Sequence, residues 1–331
     1  MNRNWQIRKF SRIISFSVLI LFLVSLIVSC NNSETEPVAL SASEKFSLAS
    51  EAYSMGEWEQ CRELLIEVVS EDPNNPNVWR NFGTVSMDLG FYDEAVAAYE
   101  NVLHLDSTRL DVLTDVTGAL LGAGRLQEAL HMGEMAVRYS PQDGLAFNNY
   151  GMALMETGQL EEAASCFNTA LRRAPDNASV LYNCGRMSVL SGNFDTALSF
   201  FHQSISREPT YLAPQLELAR TYGFLERHVE AEEIVLSILA QNQTELEALS
   251  ILALSYSAQG RQSDAIEILE TLLAADSTDM HSRLGLAECY YRLGDMQMAL
   301  ENYELFINYL PDTTGTSQIR ARILELEVLC D

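Results

Sequence analysis

Small and large apolar residues recur along the chain at fixed places in a 34-residue period. Counted from Ala42, eight periods begin at residues 42, 76, 110, 144, 178, 212, 246 and 280, with no insertion or deletion. Position 20 holds Cys61, Ala95, Ala129, Ala163, Ala197, Ala231, Ala265 and Ala299. Position 8 is equally small, with Ala49, Gly83, Thr117, Gly151, Gly185, Ala219, Ala253 and Ala287. This pattern predicts pairs of helices whose backbones approach closely where they cross.

Turn and stop signals fall at fixed places in the same period. Glycine stands at position 15 of every period except the sixth, where Glu226 replaces it. Glycine is typical of the turn that ends a helix. Proline closes five periods and is expected to stop the second helix, at Pro73, Pro141, Pro175, Pro209 and Pro311. Each period is therefore predicted to be a helix-turn-helix unit, and no strand is predicted.

Residues 78–107 carry a motif that identifies the unit. The segment contains W-x2-F-G, then G-x-Y-x2-A, then Tyr99 four residues after that alanine. It resembles the tetratricopeptide repeat, a helix-turn-helix unit of about 34 residues. The resemblance implies an all-α fold, an α-solenoid (right-handed superhelix) of eight repeats: 42–75, 76–109, 110–143, 144–177, 178–211, 212–245, 246–279 and 280–313.

The last residues, 314–331, are predicted to form one amphipathic capping helix. Its apolar side is expected to contain Ile319, Ile323, Leu324 and Val328. A repeat array needs a cap because its terminal hydrophobic face has no following repeat to cover it. Repeats and cap together leave no room for a catalytic domain within the sequence.

The N-terminus is predicted to be a lipoprotein signal peptide over residues 1–29. Residues 1–12 carry four basic side chains and no acidic one, and an apolar run follows from Ile13 to Ser29. Ile27-Val28-Ser29-Cys30 resembles the bacterial lipobox, which implies that Cys30 is lipidated and that residues 30–41 are a tether. An uncleaved signal anchor stays open as the alternative, because the run is marginal in length for a spanning helix.

Charge and composition exclude several classes of function. The formal charge is −25, and without the four basic residues of 1–29 it is −29. Such a surface repels nucleic-acid phosphate, so no nucleic-acid partner is expected. The five histidines occupy five different repeat positions without metal-ligand spacing, and no glycine-rich phosphate loop follows a strand. We expect no catalytic residue, no metal and no cofactor.

Four of the five cysteines after Cys30 are expected to be structural, and Cys330, one residue from the end, is expected to be exposed. Cys61, Cys166, Cys184 and Cys289 lie on predicted helices, at spacings unlike a CxxC metal site. Buried thiols of this kind behave as small hydrophobic side chains. Cys166 and Cys184 form the one pair to examine for a disulfide.

Asparagines form the first candidate binding feature. In tetratricopeptide arrays the first helices line a concave groove through repeat positions 2, 5, 6, 9, 12 and 13, so the resemblance places Asn148 and Asn149 in the groove. Position 6 holds Asn81, Asn149 and Asn183, with Asp115 between the first two. An amide pairs with both the C=O and the N–H of an extended peptide. The arrangement resembles the asparagine ladder of O-linked N-acetylglucosamine transferase; a merely solvated polar surface is the alternative.

Arginines form the second candidate feature. Arg186 and Arg220 share position 9 in adjacent repeats, and Arg80 occupies position 5 of the second repeat. A guanidinium suits a carboxylate, so we expect an acidic or C-terminal peptide segment as ligand. The pair resembles the carboxylate clamp of chaperone-binding tetratricopeptide domains, although the lysines of that clamp are absent. Intramolecular pairing with Glu217 or another nearby acid is the alternative.

These features predict a non-catalytic scaffold or adaptor. Lipid at Cys30 holds the array outside the cytoplasm, at a bacterial cell membrane or outer membrane, and the groove binds a protein partner during envelope assembly. The alternative is an accessory subunit of an envelope enzyme that acts on peptidoglycan or polysaccharide. That alternative requires groove aromatics to bind glycan, and five are available: Phe46, Tyr53, Tyr182, Phe224 and Tyr291.

Overall fold

The computed structural model describes residues 40–309 and 316–330. The predicted signal peptide, the lipidation site Cys30, the tether up to residue 39 and Pro311 lie outside the described residues. Within the described part there are 17 α-helices and no strand. The predicted all-α, solenoid class of fold is confirmed.

Two helices belong to a first compact unit that ends at Pro73. They are α1 (Ala42–Met55) and α2 (Trp58–Glu71). Ser41 starts α1 through a capping box with Glu44, in which each side chain accepts a hydrogen bond from the other residue's backbone N–H. Lys45 bonds Glu71 at 2.6 Å, which ties the start of α1 to the end of α2.

Fifteen helices form a second compact unit from Asn74 onward. They are α3 (Pro76–Asp88), α4 (Tyr92–Leu105), α5 (Leu113–Gly122), α6 (Leu126–Tyr139), α7 (Gly144–Glu156), α8 (Leu160–Arg173), α9 (Ala178–Leu190), α10 (Phe194–Arg207), α11 (Leu212–Phe224), α12 (His228–Leu239), α13 (Leu246–Ala258), α14 (Gln262–Ala275), α15 (Met280–Leu293), α16 (Met296–Asn308) and α17 (Ser317–Cys330). A 3-10 turn, Leu110–Val112, precedes α5.

Local chemistry explains where these helices begin. Asn75, Asp143, Asn177 and Asp279 cap α3, α7, α9 and α15, because each side chain accepts a hydrogen bond from a backbone N–H of the first turn. Acidic residues occupy the first turn of α4, α6, α8, α10, α12 and α14. Negative charge at that end is favoured by the helix dipole.

The core of the second unit lies between the two helices of each pair and between consecutive pairs. A representative cluster joins α7, α8 and α9, with Leu154, Phe167 and Val180 each 2% exposed or less. The buried alanines at repeat position 20, such as Ala163, allow this close packing. Each second helix therefore contacts both its own first helix and the next one.

The last helix, α17, covers α15 and α16. Leu326 is fully buried beside Ala287, Ala299 and Tyr303, and Ile319 and Ile323 pack at the margin of that cluster. The predicted apolar side was partly wrong, because Leu324 and Val328 are 63% and 78% exposed. The buried stripe follows residues 319, 323 and 326, which is the i, i+4, i+7 spacing of one helix face.

The turns between paired helices use a left-handed backbone. Seven glycines adopt positive φ there, whereas the sixth repeat uses Glu226 at φ 57°. Glu226 is the one non-glycine residue with positive φ in the described part of the chain. A side chain in this conformation costs about 1–2 kcal/mol because its Cβ crowds the following carbonyl.

We expect Glu226→Gly to raise the free energy of unfolding by about 0.5–1 kcal/mol, since relief of strain exceeds the extra entropy of glycine in the unfolded chain. Urea unfolding followed by circular dichroism measures the change. Gly192→Ala is the matched control: Gly192 has φ 73° and open space at its Cβ position, so it should lose about 1 kcal/mol through conformation alone. If the urea midpoint of Glu226→Gly equals that of the wild type, the backbone at residue 226 is not strained.

Candidate functional site

The first helices of the second unit pack side by side. Each of α5, α7, α9, α11, α13 and α15 contacts the next in the series, and Arg80 on α3 reaches Asp115 on α5. We call their exposed side the first-helix face. All seven residues that the sequence suggested for peptide binding lie on first helices: Arg80, Asn81, Asn148, Asn149, Asn183, Arg186 and Arg220.

The asparagines differ in their accessibility. Asn148 and Asn183 are each 1% exposed, and the Asn183 amide donates to Oδ1 of Asn148 at 3.0 Å. Asn149 is half-buried and donates to the carbonyl of Thr114 at 3.0 Å. Asn81 is exposed. Neighbouring first helices therefore already bond the Asn148 and Asn149 amides, which the sequence placed in the groove for a ligand.

These amides connect three first helices. Asn149 on α7 bonds α5, and Asn183 on α9 bonds Asn148 on α7. Inside a low-dielectric core such bonds are strong, and leaving one member unpaired is costly. Oδ1 of Asn183 is buried without a hydrogen-bond donor within the described residues. The ladder therefore fixes the spacing of the first helices, and peptide binding by its members stays a prediction.

Arg80 pairs with two carboxylates of the next repeat. Its guanidinium lies 2.8 Å from Asp111 and 3.0 Å from Asp115. Burial raises the pKa of Asp115, and the charge and hydrogen bond of Arg80 act in the opposite direction. Asp111 is shared with Arg109, whose guanidinium lies 2.9 Å away, so two guanidiniums balance the two carboxylates at this end of the first-helix face.

Arg186 and Arg220 are also paired within the chain. Arg186 lies 2.9 Å from Glu156 and stacks over the Tyr182 ring at 5.8 Å. Arg220 lies 2.9 Å from Glu217 and also bonds Glu247. The structure thus shows the intramolecular pairing that was the alternative to a free carboxylate clamp. Both guanidiniums keep unused N–H donors, with side chains 29% and 40% exposed.

Large apolar side chains are exposed on three of the first helices, and the sequence interpretation named only one of them, Phe224. Leu190 on α9, Phe224 on α11 and Leu254 on α13 are 56%, 71% and 68% exposed. Phe224 and Leu254 line a cavity of about 370 Å³. The available signal was a large apolar residue at repeat positions 9 and 13, where α3 carries Thr84 and Asp88 instead.

The cysteines and the acidic clusters show no reactive or metal-binding arrangement in the described part. Cys61, Cys166, Cys184 and Cys289 are free thiols, so the suggested Cys166–Cys184 disulfide is absent. Burial raises the pKa of the Cys184 thiol to about 11. No group of three His, Cys, Asp or Glu side chains in residues 40–309 and 316–330 is placed to hold a metal ion.

Family models agree with the repeat pattern. Two models, each described as tetratricopeptide repeat, match residues 120–182 and 189–254 and residues 251–307, more than half of the chain. The chain belongs to the tetratricopeptide repeat family. No curated protein sequence matches it significantly.

Solved structures of low sequence identity share the fold. A chain of the APC/C hetero-tetramer Cut9–Hcn1 aligns at TM-score 0.67 and 15% identity, over 91% of this chain and 58% of that one. Human IFIT1 aligns at 0.55 and 17%, over 82% and 74%. A tetratricopeptide repeat protein from Parabacteroides merdae aligns at 0.53 and 15%, over 75% and 98%. The fold is typical of protein-binding scaffolds.

The asparagine ladder gives a stability prediction. Asn148→Ala and Asn183→Ala should each lower the free energy of unfolding by about 1–3 kcal/mol, because each leaves a buried partner unpaired. The double variant should cost less than the sum, since it removes both polar groups. Urea unfolding measures all three, with the exposed Asn81→Ala as control at about 0.5 kcal/mol or less. If the double variant loses the sum of the two single losses in free energy of unfolding, the hydrogen bond between Asn148 and Asn183 contributes nothing.

Proposed function

We propose that this tetratricopeptide repeat protein is a membrane-tethered scaffold that binds an extended segment of a partner protein on its first-helix face. The observation that carries the proposal is the exposure of three large apolar side chains on first helices, Leu190, Phe224 and Leu254, two of which line one cavity. Large apolar side chains at such exposure gain free energy when a partner covers them.

The polar residues of the first-helix face supply the remaining contacts. Asn81 is exposed and offers an amide to a peptide backbone. The Arg186 guanidinium donates one hydrogen bond to Glu156. Its other N–H groups are left for a further acceptor. A peptide acid or C-terminal carboxylate at Arg220 would have to compete with Glu217 and Glu247. Binding of an acidic or C-terminal segment stays a prediction on these grounds.

Attachment to the membrane is proposed through lipid on Cys30. The support is the sequence alone: the basic start, the apolar run and the resemblance of Ile27–Cys30 to the lipobox. None of the helices in the described part combines the length and apolar character needed to span a bilayer. We place the repeats outside the cytoplasm of a bacterial cell, where the partner belongs to envelope assembly.

Glycan binding, as an accessory subunit of an envelope enzyme, is the less favoured alternative. Sugar binding by stacking needs neighbouring open rings. The guanidinium of Arg322 lies over the Tyr291 ring at 4.1 Å, and Tyr182 packs against Tyr211 at 5.4 Å. Phe224 remains the most open of the candidate rings. An open phenylalanine ring beside Leu254 fits an apolar peptide side chain better than a sugar chain.

Lipidation is tested by intact mass and metabolic labelling. Labelled fatty acid should enter the wild-type protein, and its mass should correspond to a chain that begins at a modified Cys30. Cys30→Ala should abolish labelling and leave an uncleaved precursor in the membrane fraction, because its apolar run is retained. Cys61→Ala is the control and should label normally. A wild-type protein that keeps Met1 would reject the lipoprotein assignment and favour the signal anchor.

Partner binding is tested by photo-cross-linking of the full chain in its native membranes. A photoreactive amino acid is placed on first helices, at Asn81, Leu190 or Ser250, and on second helices, at Arg172 or Gln203; all five positions are exposed. First-helix probes should give discrete partner adducts, whereas second-helix probes should not. Adducts confined to Arg172 and Gln203 would move the binding surface to the opposite side of the repeats.

A further inference from the structure

An apolar cavity lies between α11 and α13 on the first-helix face. Its volume is about 370 Å³, and Gly223, Phe224, Ile251 and Leu254 contribute to its lining. Gly223 adds no side chain, and nothing lies within 4 Å of its Cβ position, so the backbone of α11 is open there. The opening accommodates one leucine-sized or phenylalanine-sized side chain from outside.

The walls of the cavity are held in place before any ligand arrives. Phe224 stacks on Phe194 with ring centroids 6.3 Å apart, so the exposed ring has a supporting neighbour. Ile251 on the opposite wall is 6% exposed and belongs to the buried cluster between α11, α12 and α13. A preformed apolar wall loses little conformational entropy when it is covered.

The charges beside the cavity are unequal. Arg220 forms part of the lining, and its guanidinium bonds both Glu217 and Glu247. Glu217 and Glu247 are 25% and 42% exposed, so both carboxylates keep oxygen surface that faces solvent. One guanidinium for two carboxylates leaves one net negative charge at the rim, in a chain whose formal charge is −25. This rim favours a cation and disfavours a further carboxylate.

We propose that the cavity between α11 and α13 binds one large apolar side chain of a partner segment that carries a lysine or arginine close to it. The apolar side chain covers Phe224 and Leu254, and the basic side chain pairs with Glu217 or Glu247. This inference rests on the proposed scaffold function and narrows its partner to a segment that is both apolar and basic. It differs from the acidic segment that the sequence pattern suggested.

A phage-displayed library of random peptides, selected on the purified full chain in detergent, tests the proposal. Enriched peptides should share a leucine, isoleucine, methionine or aromatic residue with a lysine or arginine within a few positions. A synthetic peptide of the enriched pattern should bind more weakly as salt rises, because exposed charge pairs are screened. Enrichment of apolar-acidic peptides, or no enrichment of any pattern, would overturn the proposal.

Matched variants locate the peptide. Leu254→Ser should weaken binding by about tenfold or more, as expected for loss of one large apolar contact. Leu236→Ser is the control, because Leu236 is also an exposed helical leucine, at 45%, but lies on the second helix α12. Glu247→Gln, which keeps its shape and polarity, should reduce the preference for basic over neutral peptides. Circular dichroism confirms that each variant remains helical.

The outcomes separate this inference from the scaffold function. If peptides bind Leu254→Ser as tightly as wild type, the cavity is not the site and the inference fails. The scaffold function is then tested independently, by the cross-linking from first-helix positions. The opposite outcome is also distinct. If peptide binding depends on Leu254 and Glu247 but the first helices give no cross-links in native membranes, the cavity is a peptide site and the scaffold proposal fails.

Discussion

Contact between an aromatic ring and a glycine sets how closely the two helices pack in the second, fourth and fifth repeats. A Cβ atom added at Gly83 would lie 2.6 Å from the Tyr99 ring, and one added at Gly185 would lie 2.4 Å from Phe201. The ring on the second helix thus packs directly on the backbone of the first. Phe201 is fully buried in this position. The ring sets how closely the two helices approach. The opposite side of the first helix then faces away from the second helix.

The third repeat fills the space between its two helices with a different pair of residues. Thr117 replaces the small residue of the first helix, and Gly133 replaces the ring of the second. Tyr150 of the next repeat fills the space, since a Cβ at Gly133 would lie 2.9 Å from its ring. Close packing forces such compensation, because a void or an overlap of one side chain costs a substantial part of the stability of the fold.

The outer side of the first helices combines two kinds of surface. Towards the N-terminal end of the second unit, the side chains of Arg80, Asn148, Asn149 and Asn183 are bonded to partners within the chain. Towards α11 and α13, Phe224 and Leu254 are open to solvent beside a shared ion pair of Arg220. Polar groups that satisfy one another specify the spacing of the helices, whereas open apolar groups supply free energy for association. The second region therefore carries the proposed binding function.

The all-α solenoid followed from the sequence alone, because the positions of alanine, glycine and proline depend on local helix geometry and recur at a fixed interval. The 34-residue period also placed the candidate binding residues on first helices. The sequence did not determine which side chains remain available. Asn148 and Asn183 read as groove amides but are buried against each other. For Arg220 the sequence left a peptide carboxylate and pairing with Glu217 both open, and the structure shows bonds to Glu217 and Glu247. Partners such as Asn148 and Asn183, in adjacent repeats 35 residues apart, meet through the stacking of one repeat on the next. Only the tertiary structure decided these pairings, because the rotation and spacing of neighbouring repeats set the distances between such side chains.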